Sequence, residues 1–289
     1  MMHASDQDLM TVIRSTLPGM TPKMRATGEM CLVKTEQFIR NTSREICAEL
    51  GTSEPTLIRF CRQFGYSGLS DFRIDLALSL AHQPRGHGFV EPLAGDRRRA
   101  NLAAKRRIAE HAVTLLGSDD TLLIDNGSTA EFFASALPEE PKRTIMTNGL
   151  VVAQNALVRG AHDVLLTGGR IRPRALSLTG RQVENTLEGM RFDTFIMGVG
   201  TVEPELGFST FREDEAHGTR TMVAAAARVI VLADHTKFRK SALHKICGLE
   251  DIDILVTDLP PSSPILLAIR ERGVQVETVS PEDRPSDPR

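Results

Sequence analysis

Apolar positions recur at helical spacing from about residue 9 to residue 80, and Gly and Pro fall between the periodic stretches. The pattern predicts helices over 9–17, 22–33, 43–50, 54–64 and 69–80. Pro22 suits a helix first turn, where its missing N–H costs no hydrogen bond. After 82 the periodicity collapses into Gln-Pro-Arg-Gly-His-Gly and then Glu-Pro-Leu-Ala-Gly-Asp, the composition of a linker. From Thr121 the texture changes again. Short β-rich runs at 121–124, 144–146, 163–166, 194–197, 229–233, 252–257 and 274–278 alternate with helical stretches at 128–137, 151–159, 182–187, 216–227 and 264–272. Near-continuous apolar strands separated by helices predict a parallel sheet covered on both faces. The expected fold class is α/β: an all-helical N-terminal domain over 1–82, a linker over 83–99, a mostly parallel α/β domain over 100–279 and a disordered, Pro-rich polar tail over 280–289.

Within the helical part, Ile46, Cys47 and Leu50 form an apolar stripe that ends at Gly51, where the chain must turn sharply. Ser53 suits the N-cap of the next helix, Pro55 its first turn, and Leu57 is spaced to pack back on the first helix. Cys47, four residues before the glycine, is small enough to let the two helices approach. This is the spacing of a DNA-binding helix-turn-helix, whose second helix enters the major groove by its N-terminal end. The candidate DNA-binding residues are Ser43, Ser53, Glu54, Pro55, Thr56, Arg59 and Arg62. Thr56 suits a thymine methyl or a phosphate, Arg59 a guanine or the backbone, and Ser43 a phosphate. An αα-hairpin with no DNA partner is the plainer reading, and Arg62 is equally suited to a surface ion pair.

Five patterns in the α/β part point to an anion site at the carboxyl ends of strands, where open α/β sheets bind ligands. The first is Asp125-Asn-Gly127-Ser128-Thr129, a strand end running into a helix N-terminus with free amides and two hydroxyls. The others are Thr147-Asn148-Gly149, then Gly168-Gly169 with Arg170 or Arg172, then Gly198 in Met-Gly-Val-Gly, and Lys237 after Ala-Asp-His-Thr. Each alone is ordinary turn chemistry. Their shared position on one sheet edge gives the set its weight. Asp214 and Glu215 join the expected effector-binding residues.

Composition narrows the classes further. Of 289 residues, 41% are hydrophobic and 25% charged, ordinary for a folded soluble domain. No apolar run approaches the length of a membrane helix, and the first residues lack the pattern of a signal peptide, so a cytoplasmic protein without a membrane partner is expected. The four cysteines form no C-x-x-C pair and no zinc spacing, so neither a metal nor a cofactor is expected. The net charge of −2 means that any DNA contact must use a local basic face. Arg97, Arg98, Arg99, Lys105, Arg106 and Arg107 make a basic cluster leading into an amphipathic helix that ends near Leu116. It reads as a solvated face or as a phosphate-contacting or interdomain helix.

The run Arg59-Phe-Cys-Arg-Gln-Phe-Gly-Tyr-Ser-Gly-Leu, with Met20-Thr-Pro before it, resembles the RpiR-type helix-turn-helix family over about 9–80. That resemblance implies a bacterial regulator of sugar or sugar-phosphate metabolism. Residues 125–129, 147–148, 166–172, 192–193, 207–210, 233–238 and 251–258 together resemble the C-terminal sensor of DeoR-type regulators over about 100–260. That resemblance implies a fold akin to ribose-5-phosphate isomerase which binds phosphorylated sugars without turning them over. There is one departure: Thr219 stands where the family commonly has a lysine, which opens the identity of the ligand. The pairing of the two modules is also unusual, since each family commonly carries a different companion domain.

The expected function is a sequence-specific DNA-binding regulator, a repressor by default, of carbohydrate or polyol catabolism. It would act as a homodimer or homotetramer on double-stranded operator DNA and be gated by a phosphorylated sugar or polyol. The alternative is a sugar-phosphate isomerase with a helical appendage, using Asp125, Asp214 or Glu215 as carboxylate and Lys237 as electrophile.

Overall fold

A computed structural model of the chain describes residues 8–81, 89–158 and 160–280. The chain divides into two compact units, Met1–Ala100 and Asn101–Arg289. The polar segment at 82–88 and the expected tail beyond 280 lie outside the described residues.

The first unit is helical: α1 (Leu9–Thr16), α2 (Pro22–Val33), α3 (Thr35–Arg40), α4 (Ser43–Leu50), α5 (Glu54–Gln63), α6 (Leu69–Ala81) and α7 (Ala94–Arg99). Its core is aromatic. Phe38, Phe60 and Phe72 are fully buried, and Phe72 meets Phe38, Phe60 and Tyr66 edge to face. Such pairs add about 1 kcal/mol each to their burial. Gly28 lets the helices close, because a Cβ there would stand 2.5 Å from the Leu17 side chain. Helix α4 starts in a capping box: the Thr42 hydroxyl accepts from the Glu45 amide, and the Glu45 carboxylate accepts from the Thr42 amide at 2.7 Å. It ends at Gly51, whose φ of 56° is left-handed as the turn requires.

The stretch expected as linker is in part structured. Residues 94–99 form α7, and Asp96 on it is buried. Its carboxylate lies 3.0 Å from the Arg73 guanidinium of α6, itself buried, and accepts from Ser70 at 2.9 Å. Arg73 also donates to the carbonyl of Asn41, just before α4. A linker composition hid this helix because one buried ion pair, rather than an apolar stripe, anchors it.

The second unit contains α8 (Leu102–Thr114), β1 (Thr121–Ile124), α9 (Ser128–Ala136), β2 (Thr144–Thr147), α10 (Leu150–Val158), β3 (Asp163–Leu166), β4 (Arg170–Arg172), β5 (Ser177–Thr179) and α11 (Arg181–Leu187). It continues through β6 (Phe192–Gly198), β7 (Thr201–Glu203), β8 (Gly207–Thr210), α12 (Glu213–Ala224), β9 (Ala226–Ala233), β10 (His244–Cys247), β11 (Ile254–Thr257), α13 (Pro264–Glu271) and β12 (Gln275–Thr278). The basic cluster falls on two helices: Asn101, with φ 52°, separates α7 from α8.

Seven strands form one parallel sheet in the order β12-β11-β9-β6-β1-β2-β3. Side chains alternate between its faces. Leu122, Ile124, Ile196 and Ile230 pack with α8, α9 and α10, while Leu123, Phe195, Met197 and Val231 pack with α11, α12 and α13. The architecture is an all-helical N-terminal region followed by a mostly parallel α/β domain. Two small antiparallel sheets, β10-β8-β7 and β4-β5, were not legible as strands in the sequence. The chain runs from β1 outward to β2 and β3, then returns to β6 on the other side of β1. That reversal makes a topological switch point at the carboxyl ends of β1 and β6, where open α/β sheets commonly hold a ligand crevice.

Candidate DNA-reading helix and strand-end site

Helix α5 buries Leu57, Phe60 and Cys61 and turns its other face outward. Ser53, Glu54, Pro55, Arg59 and Arg62 are exposed, and Thr56 and Ser43 are half-buried. Ser53 stands at the N-cap position of α5, but its hydroxyl does not cap a backbone amide as expected. It lies 3.0 Å from the Thr56 hydroxyl instead. Thr42 rather than Ser43 caps α4, which leaves the Ser43 side chain in the first turn. The candidate contacts therefore share the outer side and N-terminal end of α5, with Ser43 on the helix before it.

At the crevice, β1 delivers Asp125 and then Asn126. Both are buried, and the Asn126 amide donates to the Asp125 carboxylate at 2.8 Å. Gly127, with φ 128°, turns the chain into α9, whose first turn holds Ser128 and Thr129. β2 ends in Thr147, whose hydroxyl accepts from the Gly149 amide at 2.9 Å, followed by buried Asn148. Gly149 and Gly198 let the three loops meet. A Cβ at Gly149 would stand 3.2 Å from Asn126 Cα, and one at Gly198 3.1 Å from the Asn126 carbonyl and 3.7 Å from the Asp125 carboxylate.

The β4–β5 hairpin covers this floor. Arg172 pairs with Ser177 in the ladder, Gly149 bridges to Ser177, and the Leu178 amide donates to the Asn148 carbonyl at 2.7 Å. Of the two candidate arginines, the structure buries Arg172 and leaves Arg170 exposed. Arg172 lies 3.5 Å from Glu215 in the first turn of α12, and Thr210 at the end of β8 donates to the same carboxylate. Gly168 and Gly169 act as turn residues: a Cβ at Gly169 would sit 2.7 Å from the Thr179 carbonyl.

Burial pushes the Asp125 carboxyl up to about 7, and the charge of Glu215 adds to the rise, while hydrogen bonds from Asn126 and Asn148 oppose it. Several buried polar atoms have no protein partner: Asn148 Oδ1, beside this acid, and Ser177 Oγ and Thr179 Oγ1 on β5 of the covering hairpin. Buried polar atoms in that state are costly unless something else satisfies them.

Asp125, Asn148, Gly198, Arg172 and Glu215 thus converge, beside the α9 N-terminus. Two expected residues are held by partners of their own. Asp214 turns to Arg212 at 3.1 Å; burial works to raise its carboxyl, but the Arg212 hydrogen bond and the charges of Arg212 and Arg172 hold it below the usual range. Lys237 serves Asp234 at the end of β9: burial works to raise that carboxyl, but Lys237 and Lys105 outweigh it. Thr219 is buried one turn beyond Glu215 on α12 and brings no charge to the site.

Asn126, Ser177 and Thr179 were not singled out in the sequence, and Thr210 and Asp234 only fell within the stretches that resemble the sensor family. The three-residue strands β5 and β4 are too short for a period to register. Among the described residues no group of His, Cys, Asp and Glu could hold a metal ion, and no helix is long and apolar enough to cross a membrane.

Residues 100–259 match the family described as the DeoR C-terminal sensor domain, and residues 7–83 match the helix-turn-helix domain of the rpiR family. A protein of Escherichia coli O157:H7 named as an aga operon transcriptional repressor is 36% identical over 187 residues, covering 65% of this chain and 70% of that protein. The glycerol-3-phosphate regulon repressor of Escherichia coli K12 is 27% identical over 182 residues, covering 63% and 72%. Among solved structures, ribose 5-phosphate isomerase A of Methanocaldococcus jannaschii is similar at 17% identity and a TM-score of 0.37, over 48% of this chain and 55% of that one. These families are transcription regulators rather than enzymes, and the chain belongs to the DeoR-type sensor regulators, with a helix-turn-helix of the rpiR family in front of the sensor.

Proposed function

We propose that this regulator represses genes of carbohydrate or polyol catabolism and lets go of its operator when a phosphorylated sugar or polyol enters the strand-end crevice. Ser43, Ser53, Glu54, Pro55, Thr56, Arg59 and Arg62 meet the DNA, with base reading by the N-terminal half of α5. The protein acts in the cytoplasm as a homodimer or homotetramer, because a helix-turn-helix gains its specificity by reading two half-sites about a two-fold.

The observation that carries the effector reading is the buried, unpartnered Asn148 Oδ1 beside Asp125, with unpartnered Ser177 Oγ and Thr179 Oγ1 on the hairpin that covers the strand ends where α9 begins. The polar atoms suit sugar hydroxyls, and the helix N-terminus with Gly127, Ser128 and Thr129 suits the phosphate. Arg172 adds charge for the same group. A relative named for a glycerol-3-phosphate regulon fits a phosphorylated polyol as effector. For gating, the effector must bind the DNA-free state more tightly than the DNA-bound one.

The test is a gel-shift titration on DNA upstream of the gene and its neighbours, with a panel of sugar and polyol phosphates and their unphosphorylated parents. Release by a phosphate ester and not by its parent is the expected result. Retention of the complex against the whole panel would overturn the effector class.

A further inference from the structure

The two edges of the seven-stranded sheet are unlike. On β12 the edge is polar: Glu277 holds His111 at 3.2 Å and Gln275 at 2.8 Å. Charged and polar residues blunt an edge against pairing. On the opposite edge, β3 reads Asp-Val-Leu-Leu, and Leu165 and Leu166 are exposed, Leu166 at 46%. The neighbouring helix α10 exposes Leu157 at 55% and Val158 at 77%, and Ile171 on β4 is exposed as well. Elsewhere among the described residues, large exposed apolar side chains occur as single positions along the sequence, which is normal for a surface.

The backbone of β3 is also open. The amides of Asp163 and Thr167 donate to β2 and its flank, to Arg143 and Thr147 at 3.0 and 3.1 Å. Alternation therefore turns the N–H and C=O of Val164 and Leu166 away from β2, where no described strand pairs with them.

We infer that this edge is the dimerisation surface of the sensor, and that its occupant is β3 of a second copy, running antiparallel about a two-fold axis. The inference rests on the proposed DNA reading only for the need of a two-fold partner. Its geometry is independent. An antiparallel pairing centred on Leu165 sets Val164 opposite the partner's Leu166 and joins the outward N–H and C=O groups of both. It also places Leu165 against the partner's Leu165 on the axis and continues the aliphatic patch across the seam. Charge selects the same direction. In this antiparallel register Asp163 at the start of the strand faces the partner's Thr167, whereas parallel copies in register would set Asp163 against Asp163. The effector loop at 167–169 leaves directly from this strand, so a ligand that moves the loop bears on the spacing of the two copies.

The test uses the full chain. Wild type should sediment as a dimer or a multiple of it, and Leu166→Asp should halve that mass while keeping its circular dichroism. Leu165→Cys, oxidised, should give a covalent dimer on a non-reducing gel. Val164→Cys should not, because its own copies lie too far apart across that register for a disulfide. Wild type serves as the control for Cys31, Cys47, Cys61 and Cys247, which are free thiols. A monomeric wild type, an unchanged mass for Leu166→Asp, or cross-linking at 164 rather than 165 would overturn the inference. A dimer disrupted as expected in a protein that binds no DNA would instead overturn the function proposed above and leave the interface standing.

Discussion

Arg172 and Glu215 face each other at 3.5 Å across the mouth of the crevice, one from the β4–β5 hairpin and the other from the first turn of α12. The pair joins two elements that no single strand holds together. With Arg172 present, the charge of Glu215 is compensated and does not repel an incoming phosphate. Arg172→Ala leaves Glu215 beside Asp125 with no guanidinium between helix and hairpin. Charge-assisted hydrogen bonds contribute about 1.5–3 kcal/mol, so effector affinity should fall roughly 10- to 100-fold by calorimetry. Operator affinity without effector should not change. Arg172→Lys should recover only part of the loss, since a point charge does not reproduce the guanidinium fork. Equal effector affinity in the alanine variant would remove Arg172 from the site.

Asp125 gives the site a pH signature. Its folded value is raised to about 7 against an ordinary 3.8, with burial the first cause and Glu215 the second. Between those values the folded protein holds a proton that the unfolded chain has lost. The contribution to stability is therefore fully present below about pH 4 and is lost as pH rises to about 7. Asp125→Asn keeps the shape and removes the titration. Its melting temperature should exceed that of wild type at pH 8, and the difference should shrink toward pH 5. A melting difference that does not move with pH would show that Asp125 is not a buried acid in the folded protein.

The legibility of the chain follows the size of the pattern. Helix α5 and its turn were readable because Gly51, Leu57 and the exposed Arg59 each occupy a slot that a helix pair imposes. The inner strands of the sheet were readable because both faces are covered, so every residue of a strand such as β11 is apolar or small. The site was readable at the strand ends, where Gly127 marks the turn into α9 and Gly198 a close approach of two loops. It was not readable on the hairpin, where Ser177 and Thr179 lie on a strand of three residues. Nor could the sequence separate Arg172 from Arg170, or Glu215 from Asp214, because neighbours in sequence point in different directions and only the tertiary structure chooses between them.

The Arg73–Asp96 pair governs the stability of the helical unit. Both groups are buried, with side-chain exposures of 3% and 4%, and Asp96 ties α7 to α6. Removing one partner of a buried pair strands the other charge and costs about 3–5 kcal/mol. Asp96→Ala should therefore lower the denaturant midpoint of the N-terminal unit. Replacing both residues together, as Arg73→Met with Asp96→Ala, should cost less than Asp96→Ala alone, because no charge is then left buried. A double variant less stable than the single one would mean that packing by the Arg73 stem, rather than the ion pair, holds α7.

Arg59 and Arg62 are both exposed on α5, but they should fail in different ways. Arg59 is nearer the N-terminal end, which enters the groove, and Arg62 lies almost one turn further along. With Arg59 on a base edge, Arg59→Ala should cost about 1–3 kcal/mol on the true operator and little on unrelated DNA, so the specificity ratio falls. With Arg62 on a phosphate, Arg62→Ala should weaken binding to both DNAs alike and reduce the slope of log affinity against log salt by about 0.9. Fluorescence anisotropy on operator and scrambled duplexes at several salt concentrations separates the two. If Arg59→Ala instead weakens both duplexes equally and Arg62→Ala alters discrimination, the end of α5 that reads the bases has been assigned the wrong way round. If neither variant changes either duplex, the exposed face of α5 does not meet DNA.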